Sequence, residues 1–279
     1  MESHPLAILN RYFGYKEFRE NQQKIIETLL EGNDAFVLMP TGSGKSICFQ
    51  IPSMIRGGVG IVISPLIALM EDQVKGLQQN GVKAAYLNST LKFNEANAIQ
   101  HRTANGFVDI LYVAPEKLLT QDFQHFLQNI RLSLFAIDEA HCVSQWGHDF
   151  RPEYLRINQV TRNFPEIPRI ALTATADEVI RKDIIEKLEL DNAKTFVSSF
   201  DRPNICYRVQ VKQREKTQLI NFIRNEHPRS SGIIYVRTRK HSESIAEWLE
   251  KEGVSALPYH ELGDVVDYIE LFWRVGIFV

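Results

Sequence analysis

Residues 35–46 read Ala35-Phe36-Val37-Leu38-Met39-Pro40-Thr41-Gly42-Ser43-Gly44-Lys45-Ser46. The apolar run Ala35–Met39 predicts a buried strand, the Pro-Thr-Gly-Ser-Gly stretch a turn, and the residues after Ser46 a helix. Strand, glycine-rich turn and helix are the setting that a phosphate-binding loop requires. Gly42 and Gly44 let backbone N–H groups turn onto an anion, beside the positive end of the following helix. Thr41 and Ser43 complete the cradle. Lys45 is placed to reach the β- and γ-phosphates of a nucleotide, and the Ser46 hydroxyl to hold Mg²⁺. The strict pattern has a glycine five residues before Gly44, where this chain has Met39.

Outward from this loop, short β-branched runs alternate with helical ones. Strands are predicted at 35–39, 59–64, 83–87, 109–113, 134–137, 169–172 and 195–199. Helices are predicted at 22–30, 65–79 and 177–188. In the second of these helices Leu66, Met70, Val74 and Leu77 recur every three or four residues. Near-continuous apolar strands alternating with helices predict an α/β fold with a parallel sheet covered on both faces.

The strand 134–137 runs into Asp138-Glu139-Ala140-His141. A carboxylate at the C-terminal end of a parallel strand faces the ligand crevice. Asp138 is therefore the candidate Mg²⁺ partner of Ser46, and Glu139 the candidate base that orients the attacking water. Thr173-Ala174-Thr175 ends the strand 169–172 and offers two hydroxyls to the acidic motif. Alone, an Asp-Glu pair is ordinary surface charge. About 90 residues after a phosphate loop and on a buried strand, it is chemistry.

The bulk numbers narrow the class. The chain has 279 residues, 44% hydrophobic and 24% charged, with a net charge of −2. No global basic field points to nucleic acid, so such contacts must be local. The three cysteines lie far apart with no CxxC pair, which predicts reduced thiols and no zinc site. No apolar run is long enough to suggest a membrane span.

Together the phosphate loop, Asp-Glu-Ala-His and Thr-Ala-Thr resemble a superfamily 2 helicase. Two further stretches resemble the RecQ family. The first is Phe13-Gly14-Tyr15-Lys16-Glu17-Phe18-Arg19-Glu20-Asn21-Gln22. The resemblance implies that Tyr15 and Arg19 sandwich an adenine while Gln22 bonds its edge. The second is Cys142-Val143-Ser144-Gln145-Trp146-Gly147-His148-Asp149-Phe150-Arg151-Pro152-Glu153-Tyr154, similar to the family's aromatic-rich loop. That family uses this loop to couple single-stranded DNA binding to ATP hydrolysis. Trp146 and Phe150 would stack on bases, and Arg151 would serve a phosphate or its neighbour Asp149. The helicase stretches around Ser64-Pro65-Leu66 and Ala114-Pro115-Glu116 add Ser64, Gln73 and Lys117 as contacts to the DNA backbone. The resemblance further implies a RecA-like lobe, ATP with Mg²⁺ as cofactors, Lys45, Asp138, Glu139 and His141 as catalytic residues, and single-stranded and duplex DNA as partners. It implies 3′-to-5′ unwinding in DNA repair and recombination, in a bacterial cytoplasm or a eukaryotic nucleus.

Four parts follow. Residues 1–198 form the ATP-binding lobe and 199–204 the linker, Phe200-Asp201-Arg202-Pro203-Asn204 resembling the family's inter-lobe junction. Residues 205–260 form an incomplete second RecA-like lobe, and 261–279 a divergent apolar tail. The second lobe is expected to carry strands at 209–211, 232–236 and 254–259 and helices at 215–225 and 241–252. The resemblance stops at Glu261, which leads to the expectation of a chain cut within its second lobe, before the family's arginine finger. The competing expectation is an ATP-dependent nucleic-acid-binding fragment without turnover.

Overall fold

The structure is a computed structural model. It describes residues 4–88, 90–146, 149–199, 205–259 and, for the backbone only, 277–278. The expectations for the 200–204 junction, for Gly147 and His148, and for 261–276 lie outside the described residues. The chain divides into two compact units, 1–203 and 204–279.

In the first unit seven strands form one parallel sheet. They are β1 Ala35–Leu38, β2 Val59–Ile63, β3 Ala84–Leu87, β4 Ile110–Val113, β5 Leu132–Ile137, β6 Arg169–Thr173 and β7 Lys194–Val197. Their order is β3-β4-β2-β5-β6-β1-β7, with every pair parallel. Among the described residues this unit has nine α-helices. They are α1 Pro5–Phe13, α2 Gln22–Leu30, α3 Ile47–Ile55, α4 Ile67–Gln79, α5 Phe93–Ala104, α6 Pro115–Leu118, α7 Gln121–Gln128, α8 Ile157–Thr161 and α9 Glu178–Lys187.

The apolar strands are continuous because both faces are covered. Alternate residues feed two different cores, as the two-residue period of a strand requires. Phe36 and Leu38 of β1, Ile61 and Ile63 of β2, and Phe135 and Ile137 of β5 pack with Phe123, Leu127, Val160 and Ile184 from α7, α8 and α9. Ala35 and Val37, Val62, and Leu134 and Ala136 pack on the other face with Ile25, Leu29, Phe49, Met70, Val74 and Leu77 from α2, α3 and α4. Of the apolar stripe read in 65–79, Met70, Val74 and Leu77 form the buried face of α4, whereas Leu66 sits at its N-terminal cap, 45% exposed.

Away from the loop, Asp34 and Arg169 lock the starts of β1 and β6. Arg169 donates Nη2 and Nε to Asp34 Oδ2 at 2.6 and 3.0 Å and its backbone N–H to Oδ1 at 2.6 Å. Its guanidinium also caps the carbonyls of Leu188 and Glu189, at 3.1 and 2.9 Å.

The second unit contains α10 Glu215–Asn221, continued by a π-helical turn over Phe222–Glu226, and α11 Arg239–Lys251. Its core is Ile220, Ile245, Ala246, Leu249 and Ala256. Here the strand expectations need correction. Residues 209–211 form no strand, with Val209 97% and Val211 79% exposed. The stretch 232–236 shortens to β8 Gly232–Ile233, paired with β9 Ile277–Phe278. The stretch 254–259 keeps only an isolated bridge at Leu257. Apolar, β-branched sequence makes a strand only where a neighbouring strand takes up its hydrogen bonds. Among the described residues, no helix is long and apolar enough to cross a membrane.

Candidate active site

The C-terminal ends of β1, β6 and β5 lie side by side, and three motifs leave the sheet there. After β1 the chain turns through Gly42 at φ 78° and Gly44 at φ 84°. Both are left-handed, which disfavours a side chain. A Cβ at Gly44 would also run into Gln22 Nε2. Lys45 folds back along the loop and donates Nζ to the Met39 carbonyl at 3.1 Å. Desolvation lowers its pKa, opposed by the nearby charges of Glu139 and Asp138. Ser43 Oγ donates to the Pro40 carbonyl at 2.6 Å. Thr41 and Gly42 are exposed at the tip, and Ser46 is half-buried at the start of α3.

Asp138 follows β5 directly. Burial, followed by the charge of Glu139, pushes its carboxyl up to about 6, while the Glu139 N–H, Lys45 and His141 pull it down. Glu139 adopts the left-handed conformation, φ 48° and ψ 46°. His141 is buried, with Nδ1 at 3.0 Å from Thr173 Oγ1 and 3.3 Å from Glu139 Oε2. Thr173 Oγ1 also accepts from the Thr175 N–H at 3.2 Å. One imidazole thus joins the acidic motif to the threonines that end β6. A hydroxyl from Ser46 and a carboxylate from Asp138 are hard oxygen donors suited to Mg²⁺. A divalent cation would offset both the burial and the Glu139 charge that raise the Asp138 pKa.

The Tyr15–Gln22 stretch reaches the same loop in a way the sequence did not foretell. Gln22 is 2% exposed. Its Nε2 donates to the carbonyls of Ser43 and Gly44, at 3.2 and 3.1 Å, and its Oε1 accepts from the Arg19 N–H at 2.8 Å. The Arg19 guanidinium lies 5.6 Å from the centroid of the Tyr15 ring, so the two stack on each other. Arg19 also reaches the Gly42 carbonyl at 3.5 Å.

The expected DNA contacts are dispersed. Trp146 is 76% exposed and Phe150 half-buried. Arg151 donates Nη1 to the Pro65 carbonyl at 2.7 Å and Nη2 to Asp149 Oδ2 at 3.4 Å. It thereby ties the aromatic loop to the turn after Ser64. Ser64 is buried, and its Oγ has no hydrogen-bond partner among the described residues. Gln73 accepts from Gln50 at 3.4 Å, and Lys117 lies 5.9 Å from the centroid of the Phe123 ring. His141, Cys142 and Asp149 bring candidate ligand atoms within 4.8 Å of one another. The guanidinium of Arg151 on the same Asp149 works against a cation there. Sequence reasoning passed over Tyr154, whose hydroxyl donates to the Asp138 carbonyl at 2.9 Å. The one signal was a tyrosine where a buried site needs only an aromatic ring.

Sheet order, loop and acidic motif define a parallel α/β protein of the phosphate-loop class. The chain belongs to the DEAD/DEAH box helicase family, whose model matches residues 19–182. Within it the RecQ resemblance extends over most of the chain. The ATP-dependent DNA helicase RecQ of Pasteurella multocida is 47% identical over 255 residues, which is 91% of this chain and 40% of that protein. The RecQ-like DNA helicase BLM of Xenopus laevis is 42% identical over 96% of this chain and 20% of its own length. The chain therefore spans less than half of either relative. A crystal structure of the helicase MrfA bound to DNA shares the fold at a TM-score of 0.70 and 15% identity, over all of this chain and 42% of that one.

Proposed function

We propose that this chain is the ATP-binding part of a RecQ-type DNA helicase, which hydrolyses ATP in response to single-stranded DNA. The observation that carries this reading is the His141 bridge between Glu139 and Thr173 beside the phosphate loop. Such a bridge makes the position of the acidic pair depend on what happens at the end of β6. The named relatives, both DNA helicases, support the same reading.

In this mechanism the loop N–H groups and Lys45 hold the β- and γ-phosphates, with Lys45 exchanging its Met39 carbonyl for phosphate oxygen. Ser46 and Asp138 would hold Mg²⁺, which would supply positive charge against that developing on the phosphates. Glu139 orients the water in line with the γ-phosphate and takes its proton. Gln22 keeps the loop in shape, and Tyr15 and Arg19 open to admit the base between them. Exposed Trp146 stacks on a DNA base, a contact worth about 1–3 kcal/mol. Arg151 carries that event to the turn after Ser64, whose buried side chain lies beneath the surface, while the half-buried Gln73 on α4 and Lys117 on α6 follow the sugar-phosphate backbone. Residues 1–198 are the ATP-binding lobe in this proposal, and 205–260 begin the second lobe. Unwinding with 3′-to-5′ polarity, and a place in repair and recombination, belong to the same reading.

The test is steady-state ATP hydrolysis with and without single-stranded DNA, with Lys45→Ala as the blank. DNA-stimulated turnover that falls at least about 100-fold in Lys45→Ala is expected. Nucleotide binding with no turnover above the blank would replace this reading with that of an ATP-dependent binding module.

A further inference from the structure

The peptide unit that joins Asp138 to Glu139 is gripped at both ends. Its N–H donates to the Asp138 carboxylate, Oδ1, at 3.0 Å. Its carbonyl accepts from the Tyr154 hydroxyl at 2.9 Å. The grip matters because Glu139 is one of three non-glycine residues at positive φ among the described residues. A side chain in that conformation persists only where its surroundings hold it.

Tyr154 is suited to that task. It is fully buried, on the short 3-10 turn Pro152–Arg156, and packs in the same core as Ala140, Cys142 and Val143. Its turn closes the segment that carries Trp146, three residues beyond Arg151. A phenylalanine would fill the same space, so packing alone leaves the hydroxyl unexplained.

We propose that Tyr154 is a positioning residue for the acidic pair. Its hydroxyl sets the plane of the 138–139 peptide, and through it the aim of the Asp138 carboxylate and of Glu139. The inference rests on the proposed role of Asp138 as a magnesium ligand. Any ligand that draws Asp138 Oδ1 away from the Glu139 N–H leaves the Tyr154 hydrogen bond to hold the carbonyl end. The aromatic-rich segment then ends on the backbone of the catalytic acids, a direct mechanical link between DNA loop and ATP site.

The experiment compares the full chain with Tyr154→Phe and Asp138→Asn. Affinity for a fluorescent ATP analogue is measured with Mg²⁺ and in EDTA, beside thermal unfolding. A residue that orients a metal ligand changes metal affinity by about 10-fold or more. Tyr154→Phe is therefore expected to lose about 10-fold of the tightening that Mg²⁺ confers, with its EDTA affinity unchanged. Hydrogen exchange supplies a second readout without nucleotide. The amides of 138–142 should exchange faster in Tyr154→Phe while those of β1 and β2 do not. Equal loss of affinity with and without Mg²⁺, alongside a lowered unfolding midpoint, means a packing role and overturns the proposal. So does a Tyr154→Phe variant that keeps the full Mg²⁺ effect and unaltered exchange while Asp138→Asn loses that effect. If Asp138→Asn keeps the Mg²⁺ effect, the metal-ligand reading itself falls, and the exchange result alone judges the tether.

Discussion

The two units of this chain carry the same alternation of β-branched runs and helices, yet among the described residues the first builds a seven-stranded sheet from it and the second only the two-residue pair β8–β9. Val37 in β1 and Val209 in the second unit are both valines in apolar, strand-like stretches. Val37 is fully buried between β6 and β7. Val209 is almost fully exposed and forms no strand. The difference is not local propensity. It is whether a hydrogen-bonding neighbour and a covering helix stand on each side. Parallel strands depend on this most, because their partners always come from elsewhere in the chain.

The cysteines sharpen the contrast most. Cys48 and Cys142, in the first unit, are buried, and burial is the first cause that pushes each thiol up to about 12. Cys206, in the second unit, is exposed. Only the thiolate attacks an alkylating or disulfide reagent. With a pKa near 12, about one part in ten thousand of Cys48 or Cys142 is thiolate at pH 8, before burial hinders the reagent. One thiol is expected to react fast in the native protein and the other two at least about 1000-fold more slowly. Labelling followed by peptide mass mapping checks this. Equal labelling of all three would mean that the first unit opens as readily as the second.

The same contrast shows what a sequence makes legible. All seven strands of the first sheet lie within two residues of where the apolar runs place them; in six of them burial on both faces leaves a signal at nearly every position, while the edge strand β7 is largely exposed. The placement of the motifs at the strand ends was legible for a similar reason. Glycines at 42 and 44, a lysine at 45 and an acid pair after a buried strand are local patterns. What escaped the sequence is pairing between distant residues. The Gln22 carboxamide on the loop carbonyls, the Arg151 guanidinium on Pro65 and the Tyr154 hydroxyl on Asp138 leave no periodic trace. Each partner becomes visible only when strands far apart in sequence become neighbours. The strands expected at 209–211, 232–236 and 254–259 failed for the complementary reason, since a local pattern cannot report an absent neighbour.

Core truncation tests the same comparison energetically. Phe36 is fully buried in the sheet's core. Phe36→Ala removes buried area and leaves a cavity, costing about 3–5 kcal/mol. Val209→Ala removes a side chain already in water and should change stability by less than about 0.5 kcal/mol. Urea denaturation followed by far-ultraviolet circular dichroism reports both. A Val209→Ala cost approaching that of Phe36→Ala would mean that 209–211 is a strand in solution.

The smallest expected effect separates ion pairs by their surroundings. Asp34–Arg169 is mostly buried, its side chains 23% and 18% exposed, and the guanidinium also serves two carbonyls. Arg169→Ala leaves Asp34 with only a backbone donor and strands those carbonyls. Breaking a fully buried pair costs about 3–5 kcal/mol, and the partial exposure here reduces that to about 2 kcal/mol. In the second unit, Arg208 and Glu226 pair at 2.6 Å with both side chains open to water. Water screens that attraction, and two long side chains lose freedom to make it. Arg208→Ala should therefore leave the urea midpoint where it was, at low salt and high. A midpoint that moved with Arg208 as far as with Arg169 would mean that the second unit encloses its charges as the first does. Among the described residues, its two strands of two residues each and its five-residue buried core give no reason to expect that.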